Sequence, residues 1–362
     1  MSFTELFDVN QCSLSILACI FLTFSYVASL YVWRSTLSRD HPSTIKRRFF
    51  SVSVMMLLAP FFVQCFFTGE TLSKGNLYEQ LGLRWSGVVP AIFAPLFLTA
   101  ILFLGPLTMQ FLSGIWKLYA EPIYWLSSWQ DLVWVRNHFM APLSEEWVFR
   151  ACMIPLLLQC LEPMTAVFVG PLLFGVAHFH HMFEQMKAGF EFKTALMIST
   201  FQFTYTTLFG AYSAYLFVRT GHFVAPLVAH MFCNHMGFPN FAEITEFAPL
   251  QRVLIVFNFL LGFGLWCLLL TPLTNPDIYD NRLHWEPESL VKIPIVNSLE
   301  ICYINKYYNT YKIRSTMAQL CMLFVLVADS IIKRLKDLTH SVIYESWISL
   351  FTNCISLYKF FV

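Results

Sequence analysis

The chain has 362 residues, 57% hydrophobic and only 12% charged, with a mean hydropathy of +0.59 and a net charge of +1. Soluble domains carry about 25% charged residues, so the composition excludes an ordinary soluble protein and predicts a polytopic membrane protein. A charge this close to zero offers no basic stripe for phosphates and excludes a nucleic-acid binder.

The first apolar run covers 13–33 and opens without the basic residues of a signal peptide, since the first Lys or Arg is Arg34. It is read as an uncleaved span. Arg34, Arg39, Lys46, Arg47 and Arg48 follow, which places that loop in the cytoplasm and the N-terminus on the other side. Further apolar runs lie at about 49–68, 88–111, 142–161, 164–181, 194–218, 222–237 and 253–271. They are expected to be helices, because lipid leaves no water to satisfy an open strand edge. The expected fold is all-α, a polytopic bundle of about eight transmembrane helices with a cavity near the cytoplasmic face.

Between the third and fourth runs, 112–141 mixes Trp116, Tyr119, Tyr124, Trp125, Trp129 and Trp134 with Lys117, Glu121 and Asp131. That composition suits an in-plane amphipathic segment or a plain cytoplasmic loop. From about 275 onward the chain turns polar and aromatic, with one further candidate span at 315–332 followed by KRLK. The expected organisation is a membrane domain at 1–274, its core at about 115–240, and a divergent tail at 275–362. The ten cysteines form no C-x-x-C pair. They are read as reduced thiols behaving as small hydrophobes, not as a zinc site or a disulfide framework.

Ionisable groups inside spans are costly and are functional candidates. Three clusters stand out: Glu145, Glu146 and Arg150; Phe174 with His178; His230 with Asn234. Threaded from the N-terminus, all three reach similar depth on the cytoplasmic side. Glu146 and Arg150 are four apart and can pair, whereas Glu145 is rotated by roughly 100° and is left for chemistry. Pro142 is expected in the first turn of that helix, where the dipole favours carboxylates. Asn234 stacks on His230 at i+4, so two neutral donors could bind a developing oxyanion. Glu145 with His178 could hold and deprotonate a water. His180, His181, His222 and His235 are read as helix–helix hydrogen bonders.

The pattern R-N-x-x-x-A-P-x-x-E-E-x-x-F-R, from Arg136 to Arg150, resembles the type II CAAX prenyl endopeptidases of the CPBP/ABI membrane family. F-x-x-x-H at Phe174/His178 and H-x-x-x-N at His230/Asn234 resemble that family's second and third motifs in the same order, and L-G-L-R at 81–84 also looks familial. The resemblance covers about 10–275. It implies removal of the last three residues of prenylated C-a-a-X proteins, small GTPases among them, at the endoplasmic reticulum membrane. It implies Glu145 and His178 as water activators, His230 and Asn234 as oxyanion donors, and Glu146, Arg150 and Phe174 as support, with no metal and no cofactor. A prenyl chain lives in the bilayer while its peptide lies at the surface, which suits a polar site near the cytoplasmic face. Two alternatives stay open: a zinc-dependent membrane protease, though H-E-x-x-H is absent, and a non-catalytic scaffold or transporter of the same superfamily.

Overall fold

The computed structural model describes residues 3–33 and 37–283. The chain divides into two compact units, Met1–Val291 and Lys292–Val362. The second unit, and with it the candidate span at 315–332, lies outside the described residues.

Among the described residues the fold is all-helical; six of the eight apolar runs become one helix each, and the runs at 88–111 and 164–181 are each divided into two. These are α1 (Phe3–Ser29), α2 (Pro42–Gln64), the pair α3 (Val88–Leu102) and α4 (Leu104–Leu112), α5 (132–157), α6 (Pro163–Ala177), α7 (His180–Lys187), α8 (Phe192–Thr220), α9 (Val224–Met236) and α10 (Pro249–Leu273). The run at 164–181 is thus divided between α6 and α7, which are interrupted at His178 and Phe179.

Three of these stretches are long and apolar enough to cross a membrane: Gln11–Ser29, Pro163–Lys187 and Pro249–Leu273. The pair α3–α4, bent by 71°, makes a fourth if it is one span. The bend has a local cause. Pro106 cannot donate to the carbonyl of Leu102 and its ring crowds that group, so the helix axis turns there. The other helices fall short for visible reasons. α2 opens with Lys46, Arg47 and Arg48, and α9 has only 13 residues, about 20 Å at 1.5 Å per residue.

α5 is one continuous helical segment containing two π-helical turns, Arg136–Met140 and Trp147–Cys152. Its glutamates are therefore in mid-helix, and the expectation that Pro142 opens a helix is corrected. The prolines explain the widening. Pro142 lacks an N–H for the carbonyl of His138, and Pro155 lacks one for Ala151, so each carbonyl without its α-helical donor falls inside a π-turn. The segment before α5 is not a plain loop. It forms two short helices, Trp116–Tyr119 and Pro122–Gln130, that leave Trp116, Ile123, Leu126 and Trp129 exposed.

α6 packs along α8, with glycines where the two approach. A side chain at Gly175 would collide with Thr207, and one at Gly210 would lie 2.9 Å from Pro171 and 3.1 Å from the Arg150 guanidinium. Gly210→Ala should therefore destabilise the fold by about 1–3 kcal/mol through overpacking. A thermal melt in detergent checks this, and an unchanged midpoint would show that the contact yields.

L-G-L-R has a structural role. Gly82 adopts φ +76°, with its carbonyl accepting from the N–H of Phe223 at 3.0 Å. Arg84 donates to the carbonyls of Tyr279 and Asp280. Asn281 in turn donates to Val218 and Arg219 at the end of α8. Three distant corners are locked together in this way.

The cysteine reading is corrected in one respect. Cys12 and Cys160 form a disulfide with Cα atoms 5.2 Å apart. Their separation of 148 residues leaves no local spacing signature, and only the packing of α1 on the end of α5 brings them together. Cys19, Cys65, Cys152 and Cys233 are free thiols.

Candidate active site

The site forms where α5, α6, α8 and α9 converge. Glu146 on α5 is its centre. The carboxylate is fully buried and lies 3.2 Å from the guanidinium of Arg150, itself only 1% exposed. Its Oε1 is 2.6 Å from Nδ1 of His230, and its Oε2 accepts from the hydroxyl of Ser213 at 2.6 Å. Burying a charge this deeply is tolerated only when it is paired and hydrogen-bonded, and Glu146 has a partner on each side. Arg150 also covers the ring of Phe174, at 4.2 Å from the ring centre. The expected Glu146–Arg150 pairing is thus present, with His230 and Ser213 joined to it.

This geometry fixes the proton on His230. An ionised carboxylate only accepts, so Nδ1 carries the hydrogen and donates it to Glu146. Nε2 is then the working nitrogen. It lies 3.8 Å from Oε2 of Glu145, which is 18% exposed while Glu146 is wholly enclosed. The neighbouring carboxylates therefore differ as expected, one sequestered in the interior and one at the rim.

His178 caps α6. Its Nδ1 donates to the carbonyl of Phe174 at 2.8 Å, which leaves Nε2 with a free lone pair. The Phe174 ring stands between the two histidines, with centroids 4.7 Å from His178 and 6.4 Å from His230. Phe209 packs on the other side of His230 at 4.6 Å. Glu145, Glu146, Arg150, Phe174, His178 and His230 thus share one neighbourhood. Asn234 sits at its edge. It is exposed, and its amide donates to the carbonyl of Asn137 at 2.8 Å instead of facing the histidines.

Two groups escaped the sequence reading. Ser213 is a neutral residue between Tyr212 and Ala214 on α8, with no charge to draw attention. Glu184 on α7 gathers Tyr31 at 2.8 Å, Arg39 at 3.1 Å, Arg48 at 3.2 Å and His181 at 3.1 Å. This ties the end of α1 and the start of α2 to the rim beside His178. His235 is enclosed by Tyr119, Trp125 and His138 at 5.0, 5.7 and 5.8 Å, which docks the short helices before α5 onto α9. Among the described residues, no three His, Cys, Asp or Glu side chains converge in a metal-holding arrangement.

Chemically, the cluster offers a rim carboxylate, two imidazole Nε2 atoms and a buried counter-charge that holds one imidazole in place. These groups can activate a water and stabilise charge on a carbonyl without a Ser or Cys nucleophile.

Comparison with known proteins identifies a family. The family model described as type II CAAX prenyl endopeptidase Rce1-like matches residues 127–236. CAAX prenyl protease 2 of Homo sapiens is 46% identical over 277 residues, covering 74% of this chain and 83% of the human one. The Rattus norvegicus protein of that name is 41% identical, with coverages of 74% and 82%. The Arabidopsis thaliana one is 32% identical, with coverages of 74% and 92%. No solved structure matches the chain significantly.

Proposed function

The chain belongs to the type II CAAX prenyl endopeptidase family, and from that premise we propose that it removes the C-terminal tripeptide of prenylated C-a-a-X proteins, small GTPases among them, by attack of an activated water. Glu145 and His178 hold and deprotonate the water. His230 faces the scissile carbonyl and stabilises the oxyanion. Asn234 is the second donor and must release Asn137 to act. Glu146, Arg150 and Phe174 keep His230 oriented. No cofactor enters the scheme.

The observation that carries this reading is the position of His230, bonded to Glu146 through Nδ1 and facing Glu145 through Nε2. One imidazole thereby links the sequestered carboxylate to the one at the rim. The test is release of the tripeptide from a prenylated peptide by the purified protein in liposomes. Absence of release from folded protein, with a relative active in parallel, would overturn the reading.

The same scheme has eight membrane spans, with the site near the cytoplasmic face of the endoplasmic reticulum. The prenyl chain reaches the site from the bilayer, and the short helices before α5 lie in the membrane plane. The catalytic core is 115–240 within a membrane domain ending near 274.

Ser213 tests the orienting role. Ser213→Ala removes one of the hydrogen bonds to a buried carboxylate, each worth about 1.5–3 kcal/mol. We expect kcat to fall by about tenfold with KM unchanged, and Ser213→Thr to recover most of it. A fall in folded yield at unchanged kcat would make the residue structural only.

A further inference from the structure

We propose that Cys12 and Cys160 are a substrate site for a thiol–disulfide oxidoreductase of the oxidising lumen, and that their bond clamps α1 to the end of the catalytic helix on the face opposite the active site. The inference concerns the other end of the molecule and stands whether or not the peptidase reading holds.

The depth of the pair follows from two independent helices. The hydroxyl of Tyr26 on α1 meets that of Ser144 on α5 at 2.9 Å, so Tyr26 marks the level of the neighbouring Glu145. Cys12 lies 14 residues before Tyr26 and Cys160 lies 15 after Glu145, about 21 and 22 Å at 1.5 Å per residue. Both estimates put the pair on the far side of most of a hydrocarbon layer about 30 Å thick. Charge gives the direction. Arg39 and Arg48 gather on Glu184 at the active-site end, whereas 11–20, 65–68 and 158–162 contain no Lys or Arg. The basic end faces the cytoplasm, so the cysteines face the lumen, where disulfides form and persist.

The end that carries them is polar. Gln159 accepts from the N–H of Thr68 at 2.8 Å and from the Thr71 hydroxyl at 3.1 Å, and donates to Phe66 and Ser15. Gln11 also donates to Phe66 at 3.1 Å. These polar contacts hold α1 and the end of α5 against each other, and the Cα separation of 5.2 Å is within the range a disulfide bridges. In the reaction two S–H bonds are lost and one S–S bond forms. The two electrons and two protons reduce the disulfide of the oxidoreductase to a dithiol. Cys65, exposed at the end of α2, remains free and serves as an internal control.

The test blocks free thiols with N-ethylmaleimide in intact cells, then maps peptides of the full chain without reduction. The expected result is a linked Cys12–Cys160 peptide and an alkylated Cys65. Alkylation of both Cys12 and Cys160 in that sample would overturn the proposal. The clamp has its own readout. A reductant should lower the thermal midpoint of the parent protein in detergent by on the order of 10 °C and leave Cys12→Ser/Cys160→Ser unmoved. An equal response of both proteins, or none in the parent, would remove the clamping role even with the bond present.

Discussion

Glu145→Ala protein should fold, insert and bind prenylated peptide, yet release the tripeptide about 10²–10⁴-fold more slowly, the usual loss on removing a positioned general base. Glu146 cannot substitute for it. That carboxylate is enclosed and already engaged by Arg150, His230 and Ser213, whereas Glu145 is the one at the rim. Glu145→Gln keeps the shape and removes the basicity, so it should be nearly as slow. Single-turnover release in liposomes measures both. Turnover within a few-fold of the parent, in either variant, would remove Glu145 from the chemistry.

His230→Ala should lower kcat by about 10²–10³-fold with little change in KM, the loss expected of an oxyanion donor used mainly in the transition state. The folded yield should hold, because Glu146 keeps Arg150 and Ser213. Nδ1 is committed to Glu146, so Nε2 is the nitrogen that faces the reaction. A kcat within a few-fold of the parent, or a loss confined to KM, would remove His230 from the oxyanion role.

Much of this is legible in the sequence alone. The apolar runs mark the helices, though not the breaks at Phe103 and His178, and the three polar clusters mark residues near His230, with Asn234 at the edge. Their chemical classes were readable because charge in an apolar run is costly and so rarely incidental. What escaped has physical reasons. Ser213 is neutral, and its importance comes only from the carboxylate it faces. Cys12 and Cys160 are joined by tertiary packing, which leaves no trace in spacing. Asn234 stands at i+4 from His230, but its amide turns to the carbonyl of Asn137, which a helical wheel does not show. The π-turns were missed although their cause was visible, because Pro142 was read as a helix start instead of as an obstacle inside a helix.

Those two widened turns change how any positional scan across α5 must be read. A π-turn accommodates one more residue than an α-turn, so each retards the angular count by about 100°. A probe stepped from 132 to 157, whether spin label, crosslinker or cysteine, should not trace one sinusoid. It should show three short wave trains with phase slips at 136–140 and 147–152, and only the middle train, which carries Glu145 and Glu146, obeys the wheel drawn around them. Because each slip absorbs one residue, a deletion inside the second would leave Pro155 and Cys160 at the angle they now hold, whereas a deletion in the middle train would turn everything beyond it by about 100° away from the partners it now meets.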